Sequence, residues 1–147
     1  MSDTTSNFDN VVCGLLVRSG RVLLVHRNQL RRWAPNRWDL PGGHVEEGES
    51  DVTAVIRELK EELGVDASES QVRCVAQLQG DSFDLRIFVV RVWSGDPENC
   101  ATNEHDDLNW FTEHELATLT LADPETLEII VQVLRDELAP RHRLPGT

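Results

Sequence analysis

The sequence predicts an α/β domain: a mixed β-sheet with a helix packed on each face. Two observations lead there. Val11, Cys13, Leu15 and Val17 alternate with Val12, Gly14 and Leu16, so both faces of the first strand are mostly apolar and the sheet must be covered on both sides. Two later stretches carry apolar residues at helical spacing, and each needs a sheet face to bury its stripe.

In chain order, residues 1–9 read as a polar, flexible N-terminus, residues 10–139 as a single domain, and residues 140–147 as a flexible tail. Strands are expected over Val11 to Arg18 and Arg21 to Arg27, joined by a Ser19-Gly20 turn. Asn28 to Arg37 is a loop rich in Arg and Trp, and Trp38-Asp39-Leu40 is a short extended piece leading to Pro41. The first helix runs from Ser50, as N-cap, to Leu63, with Gly64 as the stop. Its stripe is Val52, Val55, Ile56, Leu59 and Leu63. Val72, Cys74, Ala76 and Leu78 mark a half-buried strand, Gly80-Asp81-Ser82 a turn, and Leu85 to Trp93 a longer apolar strand. Ser94 to Asp107 reads as an acidic loop, Asn109 to Thr112 as a brief strand, and Glu113 to Leu119 as a helical turn. A last helix begins with Asp123 as N-cap and Pro124 at its first position, with the stripe Leu127, Ile130, Val131, Leu134 and Leu138, and ends at Pro140.

At 147 residues one domain is expected, long enough to bury roughly 68–70% of its unfolded surface. With 14 basic and 26 acidic residues the formal charge is −12, which opposes binding to a nucleic acid polymer or an anionic membrane. The three cysteines are far apart and in no ligand-like spacing, so they read as free thiols, Cys13 and Cys74 in the core. There is no signal peptide, and no apolar run approaches the ~18 residues a bilayer requires, so a cytoplasmic location is expected. The five histidines fit no zinc spacing, and no D-x-D-x-D-G calcium loop is present.

The chemistry concentrates between Gly42 and Val65. Beside the helix stripe, Glu58, Glu61 and Glu62 occupy a separate strip. Three carboxylates so close repel one another, and Arg57 alone cannot neutralise them. A hard divalent cation with oxygen ligands can, and Mg²⁺ is the commonest such ion. Glutamates on a helix are most often a solvated face, but here Pro41-Gly42-Gly43 and Glu49 precede the helix and set an unusual backbone at its entrance.

Gly43, five residues, Glu49, seven residues, then Arg57-Glu58-Leu59-Lys60-Glu61-Glu62-Leu63-Gly64-Val65 resembles the signature of the Nudix hydrolases, with every fixed position filled. The resemblance implies a Nudix-type α/β/α sandwich, with the mixed sheet between helices, and hydrolysis of a nucleoside diphosphate linked to a group X. It implies Mg²⁺, with Mn²⁺ as a substitute, held by Glu58, Glu61 and Glu62 with the carbonyl of Gly43. It makes Glu49 a support for the helix start or a helper to the proton acceptor, and Arg57 the arginine that orients a glutamate. Glu104, six residues before Trp110, corresponds to a further metal-binding or catalytic glutamate in similar proteins, or is an exposed loop acid. Arg27 resembles a phosphate-contacting arginine, or is a solvated strand end. Trp33 could stack on a base, as could Trp38, which reads equally as core; Trp93 and Trp110 read as core. Asp123 lies near where some members read the base, although capping alone explains it.

The region Asp66 to Gly95 has no proline and the chain has no tyrosine, features expected in ADP-ribose-cleaving and dinucleoside-polyphosphate relatives respectively. The expected substrate is therefore a small nucleotide, foremost a nucleoside triphosphate and among these an oxidised purine such as 8-oxo-dGTP, split to monophosphate and pyrophosphate. ADP-ribose or another nucleotide sugar is the alternative, and a non-catalytic nucleotide-binding module the second. Homodimers are common in the family, but nothing in the sequence specifies an interface.

Overall fold

A computed structural model describes residues 9–138. Its strands are β1 (Asp9–Arg18), β2 (Arg21–Arg27), β3 (Trp38–Asp39), β4 (Gly42–His44), β5 (Val72–Gln79), β6 (Phe83–Val90) and β7 (His105–Phe111). Its helices are α1 (Asp51–Leu63), the four-residue α2 (Glu113–Leu116) and α3 (Thr126–Leu138). The sheet is mixed: β1 runs parallel to β6 along its length, while β2, β4 and β5 join antiparallel, in the order β3-β2-β1-β6-β5. β7 pairs with β2. The expected α/β/α architecture is present.

The alternation along β1 divides the core. Val12 and Leu16 pack with Leu23, Val25, Phe88 and Val90 under Ala54, Val55, Leu59 and Leu63 of α1. Cys13, Leu15 and Val17 point the other way, towards Leu116, Ile130, Val133 and Leu134 of α2 and α3. Helix α1 lies so close to β1 that a side chain on Gly14 would meet Leu59 Cδ2 at 2.8 Å. Burying stripes on both faces is what a chain of this hydrophobic pattern requires.

Several expectations shift. Ser94 to Asp107 is not loop throughout, because β7 begins at His105. Asp106, Asp107 and Asn109 face solvent there, so the strand reads as polar although β2 pairs with it across its whole length. β6 ends at Val90, short of Trp93. Trp93 and Trp110 are half-buried and stacked at 6.1 Å, with the Arg18 guanidinium over both rings, rather than inside the core. Cys74 is exposed because it lies on β5, at the end of the sheet order. Val52 and Ile56 are only partly buried, and Ala54 takes the central place on the α1 stripe. Helix α3 starts at Thr126, with Asp123-Pro124-Glu125 forming the turn before it, and Val133 joins its buried face. The expected flexible ends, the Pro140 stop and the Leu138 side chain lie outside the described residues. No described helix is long and apolar enough to cross a membrane.

Candidate active site

Helix α1 is fixed at both ends by its own sequence. Ser50 Oγ accepts a hydrogen bond from Thr53 N at 3.1 Å. Gly64, at φ 74°, closes the C-terminus with its N–H donating to Lys60 O at 3.0 Å. The entrance needs glycine for a different reason. Pro41-Gly42-Gly43 passes directly beside β1, where a Cβ on Gly42 would lie 2.1 Å from Val12 O. A Cβ on Gly43 would lie 2.5 Å from Glu58 Oε2, so the carboxylate occupies the space a side chain would need.

Arg57 organises the outer half of the acidic strip. Its Nε and Nη2 donate to the two oxygens of Glu49 at 2.7 and 2.9 Å, a bidentate pair. Nη2 also donates to His44 O at 3.0 Å, and Nη1 donates to Glu58 at 3.1 Å and Glu61 at 3.2 Å. Glu49 further accepts from Glu46 N at 2.9 Å. The hydrogen bonds from Arg57 and this main-chain N–H bring the Glu49 carboxyl down to about 2. The hydrogen bonds that Arg57 donates to Glu49, above all, hold the guanidinium firmly in its charged form.

The inner half has no such compensation. The Glu62 side chain is only 4% exposed, beside the Glu58 carboxyl, which is 13% exposed. Burial, and then the neighbouring Glu58 and Glu104, push Glu62 well above the usual carboxylate range. The Gly42 N–H lies 3.4 Å from its Oε1, and His105 Nε2 lies 3.5 Å from the same oxygen. The third box glutamate differs: Glu61 is 59% exposed and turned towards Arg57.

Two loops meet above these carboxylates. Asn28 Nδ2 donates to Asn103 O at 2.8 Å, and the Asn28 N–H donates to Glu104 O at 3.1 Å. Glu104 faces Arg31, whose Nη1 is 3.6 Å from its Oε1, and its charge reaches Glu62. Nothing local singles out Arg31, one of four arginines in this part of the chain. His105, next in sequence to Glu104, is buried; burial first, and then Arg31 and Arg27, lower it to about 4, so it is neutral. Nothing marked it in advance either.

The substrate-side candidates separate. Arg27 is buried: its Nε donates to Trp33 O at 2.8 Å and Ala34 O at 3.2 Å, its guanidinium lies over the Trp33 ring at 4.8 Å, and Asp39 lies 3.8 Å away. It fastens the loop that follows β2, and this geometry gives no support to a phosphate contact. Trp33 is 56% exposed on that loop. Trp38 packs edge-on against Phe111 at 4.8 Å and His26 at 4.9 Å, as a core residue would. Asp123 Oδ1 accepts from Glu125 N at 3.2 Å, as a cap does. It also lies close enough to Asp39 to help raise that carboxyl to about 6, an effect led by burial. The neighbours are brought together because Trp38 N donates to Thr120 O and Ala122 N to Trp38 O.

Buried Glu62 and half-buried Glu58, side by side against the Gly42-Gly43 backbone, are oxygen donors of the kind a hard divalent cation takes. Among the described residues no three His, Cys, Asp or Glu side chains converge tightly enough to encircle an ion. The shortfall is Glu61, held by Arg57. The residues fit a cation by chemistry, with Glu58 and Glu62 as the fixed pair.

A Mycobacterium tuberculosis protein named provisionally as 8-oxo-dGTP diphosphatase 2 is 33% identical over 141 residues, covering 90% of this chain and 95% of that one. The CTP pyrophosphohydrolase of Escherichia coli is 32% identical over 114 residues, covering 76% and 82%. A MutT NUDIX hydrolase from Burkholderia pseudomallei superposes with a TM-score of 0.72 at 29% identity, covering 82% of this chain and 95% of that one. The NUDIX domain model matches residues 7–132, so the chain belongs to the Nudix family of hydrolases.

Proposed function

We propose that this hydrolase is a Mg²⁺-dependent nucleoside triphosphate pyrophosphohydrolase that releases a nucleoside monophosphate and pyrophosphate. The observation that carries the reading is Glu62, a carboxyl buried against Glu58 with no lysine or arginine of the described residues paired with it, since Arg57 serves Glu49, Glu58 and Glu61. The Mycobacterium tuberculosis and Escherichia coli relatives are named for nucleoside triphosphates, 8-oxo-dGTP and CTP. Mn²⁺ is the expected substitute.

In this reading Glu58 and Glu62, with the Gly43 carbonyl and Glu61 once it leaves Arg57, hold the cation. When bound, it neutralises pyrophosphate oxygens and lowers the pKa of the attacking water. The chain's own residues do the rest. Arg57 and Glu49 lock the start of α1, so that Glu58 is presented at a fixed angle. Glu104, at the mouth, is placed to take the water's proton or a second cation. In-line attack at phosphorus then needs positioning and charge stabilisation rather than covalent chemistry.

Asp39 and Asp123 supply acceptors where the base is expected to lie, and Trp33 an exposed ring at the mouth. Paired carboxyls suit a base edge that offers N–H donors, as guanine and 8-oxoguanine do. This favours an oxidised purine triphosphate over ADP-ribose. The test is a Mg²⁺-supported panel of nucleoside triphosphates, 8-oxo-dGTP, ADP-ribose and dinucleoside polyphosphates, scoring pyrophosphate against phosphate. Pyrophosphate release, fastest from a triphosphate, is expected; turnover of ADP-ribose alone, or of nothing, overturns the reading.

A further inference from the structure

Among the buried polar side chains of the described residues, His105 alone keeps a nitrogen without a partner. Its Nδ1 is buried and accepts or donates no hydrogen bond among the described residues. The fold goes to some length to put it there. Along β7 the pairing with β2 slips: His26 faces Asp107 but Arg27 faces His105, so Asp106 is the extra residue of a bulge. Bulges re-aim side chains, and this one turns His105 inward while Asp106 reaches His26 at 2.6 Å on the outside.

The segment before His105 is fastened to the helix that carries Glu62. Cys100 N donates to the Glu62 carbonyl at 2.8 Å, and Glu98 N donates to the Leu63 carbonyl at 3.0 Å. Asn99 Nδ2 donates to the His105 carbonyl at 2.8 Å, and the His105 N–H donates to Ala101 O at 2.9 Å. The imidazole and the Glu62 carboxylate therefore hold a fixed relation set by main-chain bonds.

We propose that His105 is a positioning residue for Glu62: its Nε2–H and the Gly42 N–H together hold Oε1, which would keep Oε2 free to ligate a cation. A neutral imidazole has one donor and one acceptor nitrogen, so a hydrogen on Nε2 makes Nδ1 the acceptor that goes unpaired. That unpaired atom separates this role from packing, because Phe or Leu would fill the same space without it. The 3.5 Å separation from Oε1 is long for a formed hydrogen bond. Such contacts are often long in ligand-free sites, and the Mn²⁺ titration below reads whether this one closes when the cation binds. Partners of ligating side chains are worth 10–100-fold in metal affinity in other proteins, which sets the scale expected here.

The inference rests on Glu58 and Glu62 being the cation platform, and its test keeps the two apart. Mn²⁺ binding without substrate is followed by electron paramagnetic resonance in the wild type, His105→Phe and His105→Gln, with metal-free melting temperatures alongside. The expected result is that His105→Phe weakens Mn²⁺ binding about 10–100-fold while melting no lower than wild type. His105→Gln, which keeps an N–H donor at similar reach, should recover most of the affinity. Wild-type affinity in His105→Phe, with or without a lower melting temperature, overturns the proposal in favour of packing; so does His105→Gln binding no better than His105→Phe. No Mn²⁺ binding by the wild type overturns the platform itself, and the proposed function with it.

Discussion

Glu49 and Glu62 are the same residue type, thirteen positions apart at opposite ends of one helix, and they are pushed in opposite directions. Glu49 meets a bidentate arginine and a main-chain N–H, and its carboxyl falls to about 2. Glu62 meets apolar packing, another glutamate and two distant donors, and its carboxyl rises. The first arrangement is complete without any ligand. The second is a buried carboxyl that no lysine or arginine of the described residues neutralises, the kind of local conflict that marks a functional site rather than a scaffold.

Removing the uncompensated acid should have the largest effect. Glu62→Gln is expected to lower kcat by at least ~10²-fold, consistent with the several kcal/mol a cation supplies to transition-state charge. Its metal-free melting temperature should hold or rise, because a repelling buried carboxylate is gone; steady-state kinetics and calorimetry check both. A variant that keeps full activity would sink the site assignment.

Next in size is the response to the cation. At about 100 times its Kd, Mg²⁺ should stabilise the wild type by about 2.7 kcal/mol, read as a rise of several degrees in melting temperature. The rise should vanish in Glu62→Gln. An equal rise in both proteins would place the ion elsewhere.

The pH dependence of the metal-free protein carries the contrast further. Asp39, raised from 3.8 to about 6, keeps in the folded state a proton that the unfolded chain has released. Its contribution is therefore full below about pH 4 and is lost as the pH rises to 6, and Glu62 acts with the same sign. Glu49, lowered from 4.5 to about 2, acts oppositely, its contribution being lost as the pH falls below 4.5. His105, lowered from 6.5 to about 4, acts oppositely over the same window, so the readout is the difference between proteins: from pH 4 to 6 stability should fall less, or rise more, with pH in Asp39→Asn than in the wild type. An unchanged slope in that variant would remove Asp39 from the account.

The smallest effect belongs to the outward glutamate. Glu61 is exposed and held by Arg57, so Glu61→Gln should cost about tenfold in kcat, well below Glu62→Gln. Equal losses in the two variants would mean that Glu61 swings fully into the site during turnover.

Much of this was legible in local sequence. Ser50 and Gly64 bound α1 as their side-chain chemistry dictates, and the two apolar faces of β1 required cover from both sides. The spacing from Gly43 to Val65 pointed to the family, and the comparison with known proteins agrees. Arg27 resembles a phosphate contact in sequence because nothing local shows that the loop after β2 folds back to take its guanidinium. β7 was hidden because a strand with one polar face reads as loop when its pairing partner lies nearly eighty residues earlier.

The sequence alone determined the helix, its caps, the glutamate spacing and the two-sided core, because each depends on residues within a turn or two of one another. Only tertiary structure decided which glutamate is buried and which is satisfied. It also brought Asp123 to Asp39, Arg31 to Glu104 and His105 to Glu62. Those pairings span from 43 to 84 residues of chain, and burial and long-range strand register, not local pattern, bring them within reach.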